Sequence, residues 1–182
     1  MKMQSVRRFA FLCSSVAGFL VWTNLATAQC DLYPIALNTE SLANVEPGMK
    51  IGDVLNGPGT ENLGWLTWTG VRSEATLVAS LTGNGNSFTY VDPFDKANHD
   101  IMVDSWICGE PGARDTKDVR QALKNLESIA ITVPVWDTTE RHGKNTLYHV
   151  AGFAMIQITG YDLEKHRISA VFLGFTDCGG AD

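Results

Sequence analysis

The sequence predicts a mainly β fold: a β-sandwich or partly open barrel, mostly antiparallel, that carries two short helices and borders on the α+β class. Three observations predict it. The last third of the chain holds three long runs of alternating apolar residues, "SIAITVPVW", "LYHVAGFAMIQITGY" and "RISAVFLGF". Only two segments show the spacing of an amphipathic helix. The order of the elements, three strands, then helix, strand, helix, then three more strands, leaves few parallel crossovers, so antiparallel pairing is expected.

The elements follow in chain order. "DLYPIALN" reads as the first strand, with Pro34 placing it at an edge. "MKIGDVLN" reads as the second and "GWLTWT" as the third. The glycine and asparagine clusters "LNGPGTEN" and "LTGNGNS" mark turns. "SEATLVASLTG" predicts a helix: Ser73 is the N-cap, Glu74 complements the positive helix end, Leu77 and Leu81 share a face, and Gly83 follows the last turn. A second helix is predicted near 115–127, where Val119, Ala122, Leu123 and Leu126 form one stripe and Asp115 or Thr116 caps the start.

In the next run Ile129, Ile131, Val133 and Val135 alternate onto one face, and Pro134 argues for an edge or a bulge. In the longest run Tyr148, Val150, Ala154, Ile156 and Ile158 point one way, and Ala151, Phe153 and Met155 the other. The last run sets Val171, Leu173 and Phe175 against Ile168, Ala170 and Phe172. Strands apolar on both faces have to be covered on both faces. Helices are expected on one side and further strands on the other. Trp65 and Trp68, three apart in one strand, then point into opposite layers.

The ends set the compartment. Lys2, Arg7 and Arg8 open the chain, an apolar run from Phe9 to Trp22 follows, and Ala26-Thr27-Ala28 completes the layout of a cleavable secretory signal over residues 1–28. The run is shorter than the ~20 residues of a spanning helix, so no permanent membrane span is expected after cleavage. The spacing around Arg7-Arg8 does not suit a twin-arginine signal, and Gln29 before Cys30 does not suit lipidation. Residues 29–182 are expected to form one β-rich domain. The whole chain has a formal charge of −6. Loss of the leader removes three cations and no acid, which leaves the rest still more acidic. Such a surface repels phosphate backbones and anionic membranes, so nucleic acid is excluded as a partner.

Cys13 leaves with the leader. Cys30 and Cys178 sit at the two ends of the remaining chain and are expected to pair, since disulfides persist outside the cytoplasm. In the chain-entropy account a loop of that length is worth about 4–5 kcal/mol. Cys108 is then left over, either a buried free thiol or a contact to another chain, with burial the stronger expectation.

Several stretches carry a family resemblance: "IGDVLNGPGTENLGWLTWTG", "VRQAL", "ITVPVWD", "GKNTLYHVAGFAMIQITGY" and "RISAVFLGF". In this order, over nearly the whole of residues 29–182, they resemble a family of exported bacterial modules with no assigned activity. Related blocks occur in the extracellular C-terminal regions of pilus-assembly proteins of the tight-adherence (Tad) type. The resemblance implies a secreted or cell-surface accessory domain and carries over no catalytic residue. Those pilus proteins keep an N-terminal transmembrane helix, whereas this leader has the features of a cleavable one. Cys108 stands where the family pattern has another residue.

The search for chemistry yields three candidates. "VDPFDKANHD" gathers Asp92, Asp95, Asn98 and Asp100 in one loop, the oxygen chemistry of calcium. Phe94 and Lys96 break the D-x-D-x-D-G spacing, so a plain turn built by aspartate–backbone bonds is the stronger expectation; no cofactor is expected beyond this calcium alternative. Trp65, Trp68, Trp106 and Trp136 are candidate sugar platforms wherever one is exposed; the competing expectation is that large aromatics fill cores. His142 and His149 flank "GKNTLY" and are candidates for a hydrolase site assembled from distant parts, although no H-E-x-x-H, serine elbow or phosphate loop accompanies them. No nucleotide is expected to bind. The leading expectation is a non-catalytic structural or interaction module at the bacterial cell surface, with other surface proteins or glycans as partners. A carbohydrate-binding module and a small hydrolase are the alternatives.

Overall fold

The computed structural model describes residues 30–52, 64–110, 115–143, 145–165 and 167–178. The predicted leader, Cys13 and most of "GDVLNGPGTENL" lie outside these residues.

The fold is mainly β, as expected, with a few short helices and a mixed, largely antiparallel sheet that does not close into a barrel. Its axis is the long hairpin of β5 (Ala130–His142) and β6 (Asn145–Asp162), paired from Ala130↔Gln157 to His142↔Asn145. The other edge of β6 is shared. Its first part pairs with β4 (Trp106–Gly109), which pairs with β3 (Leu66–Thr67); its later part pairs with β7 (Arg167–Thr176), which pairs with β2 (Lys50–Ile51). The short strand β1 (Leu37–Asn38) runs parallel to β5.

Two cores lie on the two faces. On one, Ile131, Val133 and Val135 of β5, Ala154, Ile156 and Ile158 of β6, and Ile168, Ala170 and Phe172 of β7 pack beneath two helices. These are α2 (Glu74–Leu81), capped by Ser73, and α3 (Lys117–Leu126), capped by Thr116. The predicted stripe Val119, Ala122, Leu123 and Leu126 is the buried face of α3. Val119, Leu123 and Leu126 each contribute roughly 1.5–3 kcal/mol through burial, and Ala122 less. A one-turn helix, α1 (Thr39–Leu42), was not expected; the Asn38 side chain accepts from the Glu40 N–H at 2.7 Å and starts it. The second core holds Leu66, Trp68, Tyr90, Ile107, Trp136, Tyr148, Val150, Phe153 and Cys178.

Trp65 belongs to the first core and Trp68 to the second, one on each side of the sheet. The Trp68 indole Nε1–H donates to the Gly85 carbonyl at 2.6 Å. Gly85 (φ +77°) rides directly on the N-terminal segment: a Cβ there would stand 2.1 Å from the Leu32 carbonyl oxygen. The Cys30 and Cys178 sulfurs are bonded at 2.10 Å, which ties the two ends of the described chain together beside this core.

Some expectations need correction. The first and third predicted strands shrink to two residues each, and the second shows Lys50–Ile51, its predicted continuation from Asp53 lying outside the described residues; "DLYPI" makes only isolated bridges, Leu32 to Thr132 and Ile35 to Trp65. Ile129 is exposed, because Ser128 leaves α3 in a left-handed conformation (φ 69°) and the strand starts one residue later. Tyr148 and Val150 do not share a core with Ala154, Ile156 and Ile158. The register steps from Val135↔Gly152 to Trp136↔Val150, so Ala151 is an extra residue and the alternation reverses across it. Nor is the second face covered along its whole length. Met155 of β6 and Leu173 of β7 are exposed; Leu173 is itself the extra residue of a bulge, between Phe172↔Ile156 and Gly174↔Met155, so Phe175 beyond it turns to the first face, against the Phe172 ring, and is exposed there.

Candidate functional site

The four tryptophans separate by burial. Trp65, Trp68 and Trp136 are buried, at 1%, 1% and 5% exposure, so their candidacy as sugar platforms ends: their ring faces are packed into the two cores. Trp136 stacks edge-on against Tyr148. Burial pushes the Tyr148 phenol up to about 12. Trp106 is different. It opens β4 and is partly exposed, directly across the ladder from His149 on β6.

Around Trp106 the structure assembles a shelf. The His149 ring lies 5.0 Å from the Trp106 ring, tilted by 55°. On another side the exposed Phe94 ring stands edge-on, 6.4 Å away and at 84°. Phe94 in turn touches His142 at 5.4 Å. Two aspartates hold the imidazole of His149: Nδ1 is 2.8 Å from Asp137 Oδ1, and Nε2 is 3.5 Å from Asp104 Oδ1. A carboxylate only accepts, so the Asp137 contact requires a proton on Nδ1. The hydrogen bond from His149 holds the Asp137 carboxyl below its usual range, against a smaller opposing effect of burial.

Local structure explains each placement. Asp137 lies in the irregular stretch of β5 between Trp136↔Val150 and Thr139↔Tyr148, where an extra residue on the strand re-aims its side chains. Asp104 sits in a turn in the left-handed region (φ 70°), a conformation that aspartate and asparagine tolerate better than most residues. The turn is pinned by Ser105 Oγ accepting from the Met102 N–H at 2.9 Å and by the Asp104 N–H donating to Val150 at 2.9 Å. Met102 and Val103 of the same turn are exposed.

Phe94 is presented by the predicted calcium loop. Asp92, Asp95 and Asn98 each turn an oxygen back on the loop's own backbone, while Asp100 is exposed. Asp92 Oδ1 accepts from the Phe94 and Asp95 N–H groups at 2.7 and 3.0 Å, and Asp92 Oδ2 accepts from the Tyr90 hydroxyl at 3.1 Å. Asp95 Oδ1 accepts from Ala97, and Asn98 Oδ1 from the Asp100 N–H. Lys96 Nζ reaches the Asp92 carbonyl at 3.1 Å, which sets a cation where a metal loop needs oxygen. Among the described residues no three His, Cys, Asp or Glu side chains gather as a metal cluster. Asp92, Asp95 and Asn98 therefore act as turn builders that hold Phe94 out beside Trp106.

His142 and His149 reach the same surface, but the Phe94 and Trp106 rings stand between them, and only His149 pairs with acids. Two residues beyond Trp106 on the same face of β4 lies Cys108, a buried free thiol that burial pushes up, with the Lys96 and Arg72 charges acting in the opposite direction. The same face thus has cations near it as well as Asp104 and Asp137. Sequence reasoning named Trp106 and His149 separately but missed their pairing, and missed Phe94, Asp104 and Asp137 as their neighbours. The ladder register that joins β4 to β6 is the missing information.

Comparison with protein families, with curated proteins and with solved structures finds no match to this chain.

Proposed function

We propose that this chain is an exported, non-catalytic interaction module of the bacterial cell surface, an accessory to adhesion or pilus assembly, and that the Trp106 shelf is its contact surface. The observation that carries this reading is the contrast among the tryptophans: three are buried in cores, while Trp106 is held partly in the open between Phe94 and His149. Large aromatics that stay accessible on a rigid strand offer contact area at little entropic cost. The signal-like leader, the Cys30–Cys178 bond and the resemblance to the extracellular part of tight-adherence proteins support the placement outside the cytoplasm.

The test expresses the full chain in a bacterial host, fractionates the cells and adds the exported protein to isolated cell envelopes. The expected product begins at Gln29, carries an oxidised Cys30–Cys178 pair and is retained by envelopes; Trp106→Ala and Phe94→Ala release it. A reduced cytoplasmic product with its leader intact overturns the reading. So does a reproducible hydrolytic activity lost on His149→Ala.

A further inference from the structure

We propose that the Trp106 shelf takes an uncharged, hydroxyl-rich glycan, with the Trp106 ring under the apolar face of one sugar and the Asp104 and Asp137 carboxylates receiving its hydroxyls. This rests on the reading of the shelf as the contact surface and names the ligand that the shelf suits.

The chemistry of the rim selects the ligand. Asp104 is 83% exposed and Asp137 46% exposed, so each has carboxylate lone pairs facing water beyond its contact with His149. Carboxylates accept and never donate when ionised, so a bound group has to bring O–H or N–H donors. The same two charges disfavour an anionic polymer, and more strongly where water is excluded. A polyanionic chain, or the phosphates of a nucleic acid, meets repulsion at its first contact.

An organic cation is the competing occupant, since aromatic rings beside acids attract ammonium groups. The face already has its own cations. Lys96 is tethered on the loop that carries Phe94, and both Lys96 and Arg72 act on Cys108, two residues along β4 from Trp106. His149 also sits between the two carboxylates, hydrogen-bonded to Asp137 and 3.5 Å from Asp104. The shelf is thus a mixed surface of acceptors and donors around one partly exposed ring, which matches a polyol better than a point charge.

The geometry of the rings agrees. A sugar ring presents C–H groups on its faces and hydroxyls at its edge, so it matches an indole face bordered by polar groups. Trp106 is fixed by β4, and Phe94 by the chain of aspartate–backbone bonds from Asp92 to Asp100. A platform ordered in advance loses little freedom when the ligand arrives.

The experiment uses the exported, disulfide-bonded protein and follows its indole N–H resonances by NMR. The probes are three neutral hexasaccharides (cellohexaose, mannohexaose and N-acetylated chitohexaose), with hexagalacturonate and tetramethylammonium as the charged alternatives. At least one neutral hexamer is expected to shift the Trp106 resonance, identified by its loss in Trp106→Phe, and to leave the buried Trp65, Trp68 and Trp136 signals in place. It should bind at least about tenfold tighter than hexagalacturonate, and Trp106→Ala should weaken it by about tenfold or more. Asp104→Asn keeps a residue that tolerates the left-handed turn, so it tests the rim without unfolding it; it should weaken the neutral glycan several-fold and relieve the rejection of hexagalacturonate.

Preference for hexagalacturonate or tetramethylammonium overturns the proposal, as does binding that leaves the Trp106 resonance unmoved, and as does no binding of any neutral hexamer. If envelopes still retain the protein through Trp106 while no neutral hexamer binds, the glycan assignment fails and the interaction-module reading stands. Loss of both sinks both.

Discussion

His149 links the two sides of the shelf, and its hydrogen bond to Asp137 has a measurable consequence. Because that bond favours the charged carboxylate, the folded-state value of Asp137 lies below its unfolded value near 3.9. The sign follows from linkage: the stabilisation is present above the unfolded value and is lost as pH falls through the depressed folded one. His149→Phe keeps a ring against Trp106 and removes the donor. Asp137 should then titrate at a higher pH, near the ordinary carboxylate range, as read from its side-chain carbonyl carbon by NMR. The stability gap between wild type and variant should shrink as the solution is acidified below pH 4. A carboxyl that titrates alike in both proteins shows that the contact does not hold the imidazole in place.

Among the elements, the tight segment at Gly83–Thr89 makes the clearest claim. It follows α2, and four consecutive residues in it, Gly83, Asn84, Gly85 and Asn86, have positive φ. Gly85 lies flat on the N-terminal segment, where Ser87 Oγ accepts from the Leu32 N–H at 3.1 Å and donates to the Cys30 carbonyl at 3.3 Å. Gly85→Ala puts a methyl group into a backbone carbonyl and also strains a left-handed residue. The expected loss is at least about 2–3 kcal/mol by urea denaturation, whereas Gly143→Ala, with open space around it, should cost only the strain of its φ, about 1 kcal/mol. "LTGNGNS" announced this segment as a turn through its glycines, but nothing local announces which backbone lies beneath it. The same division runs through the fold. The two main helices were legible because cap and stripe are local signals, and β5, β6 and β7 because long alternation is. The bulges at Ala151 and Leu173 were not, since each depends on a partner strand's register, and their effect was to reverse which side of the sheet Tyr148, Val150 and Phe175 face. The shelf shares that fate: Trp106 and His149 meet only because β4 pairs with β6.

For the whole molecule, the bond between Cys30 and Cys178 encloses nearly all of the described chain, with a sequence separation of 148. The ends it joins are short of regular structure. Near Cys30 the chain makes one isolated bridge, Leu32 to Thr132, and the Tyr33 N–H donates to the Thr132 carbonyl at 2.9 Å. Cys178 follows β7 and is buried in the second core beside Phe153 and Trp136. In the chain-entropy account, closing a loop of this size removes about 5 kcal/mol of freedom from the unfolded chain, near the top of the observed range. Cys30→Ser/Cys178→Ser should therefore lower unfolding stability by several kcal/mol in urea; the double variant is the right one, because a single variant leaves a thiol free to exchange with Cys108. The slope of the transition should rise as well, since the unlinked chain exposes more surface when it unfolds. The shelf supplies an internal control. It is built by β4, the start of β6 and the 92–104 segment, and the ring and carboxylate contacts that hold Trp106 and His149 involve neither cysteine, so the Trp106 indole resonance should change little in the folded variant. A variant that loses less than about 1 kcal/mol would mean that the core and the sheet hold the termini without the bond, and that the chain's stability rests on packing alone.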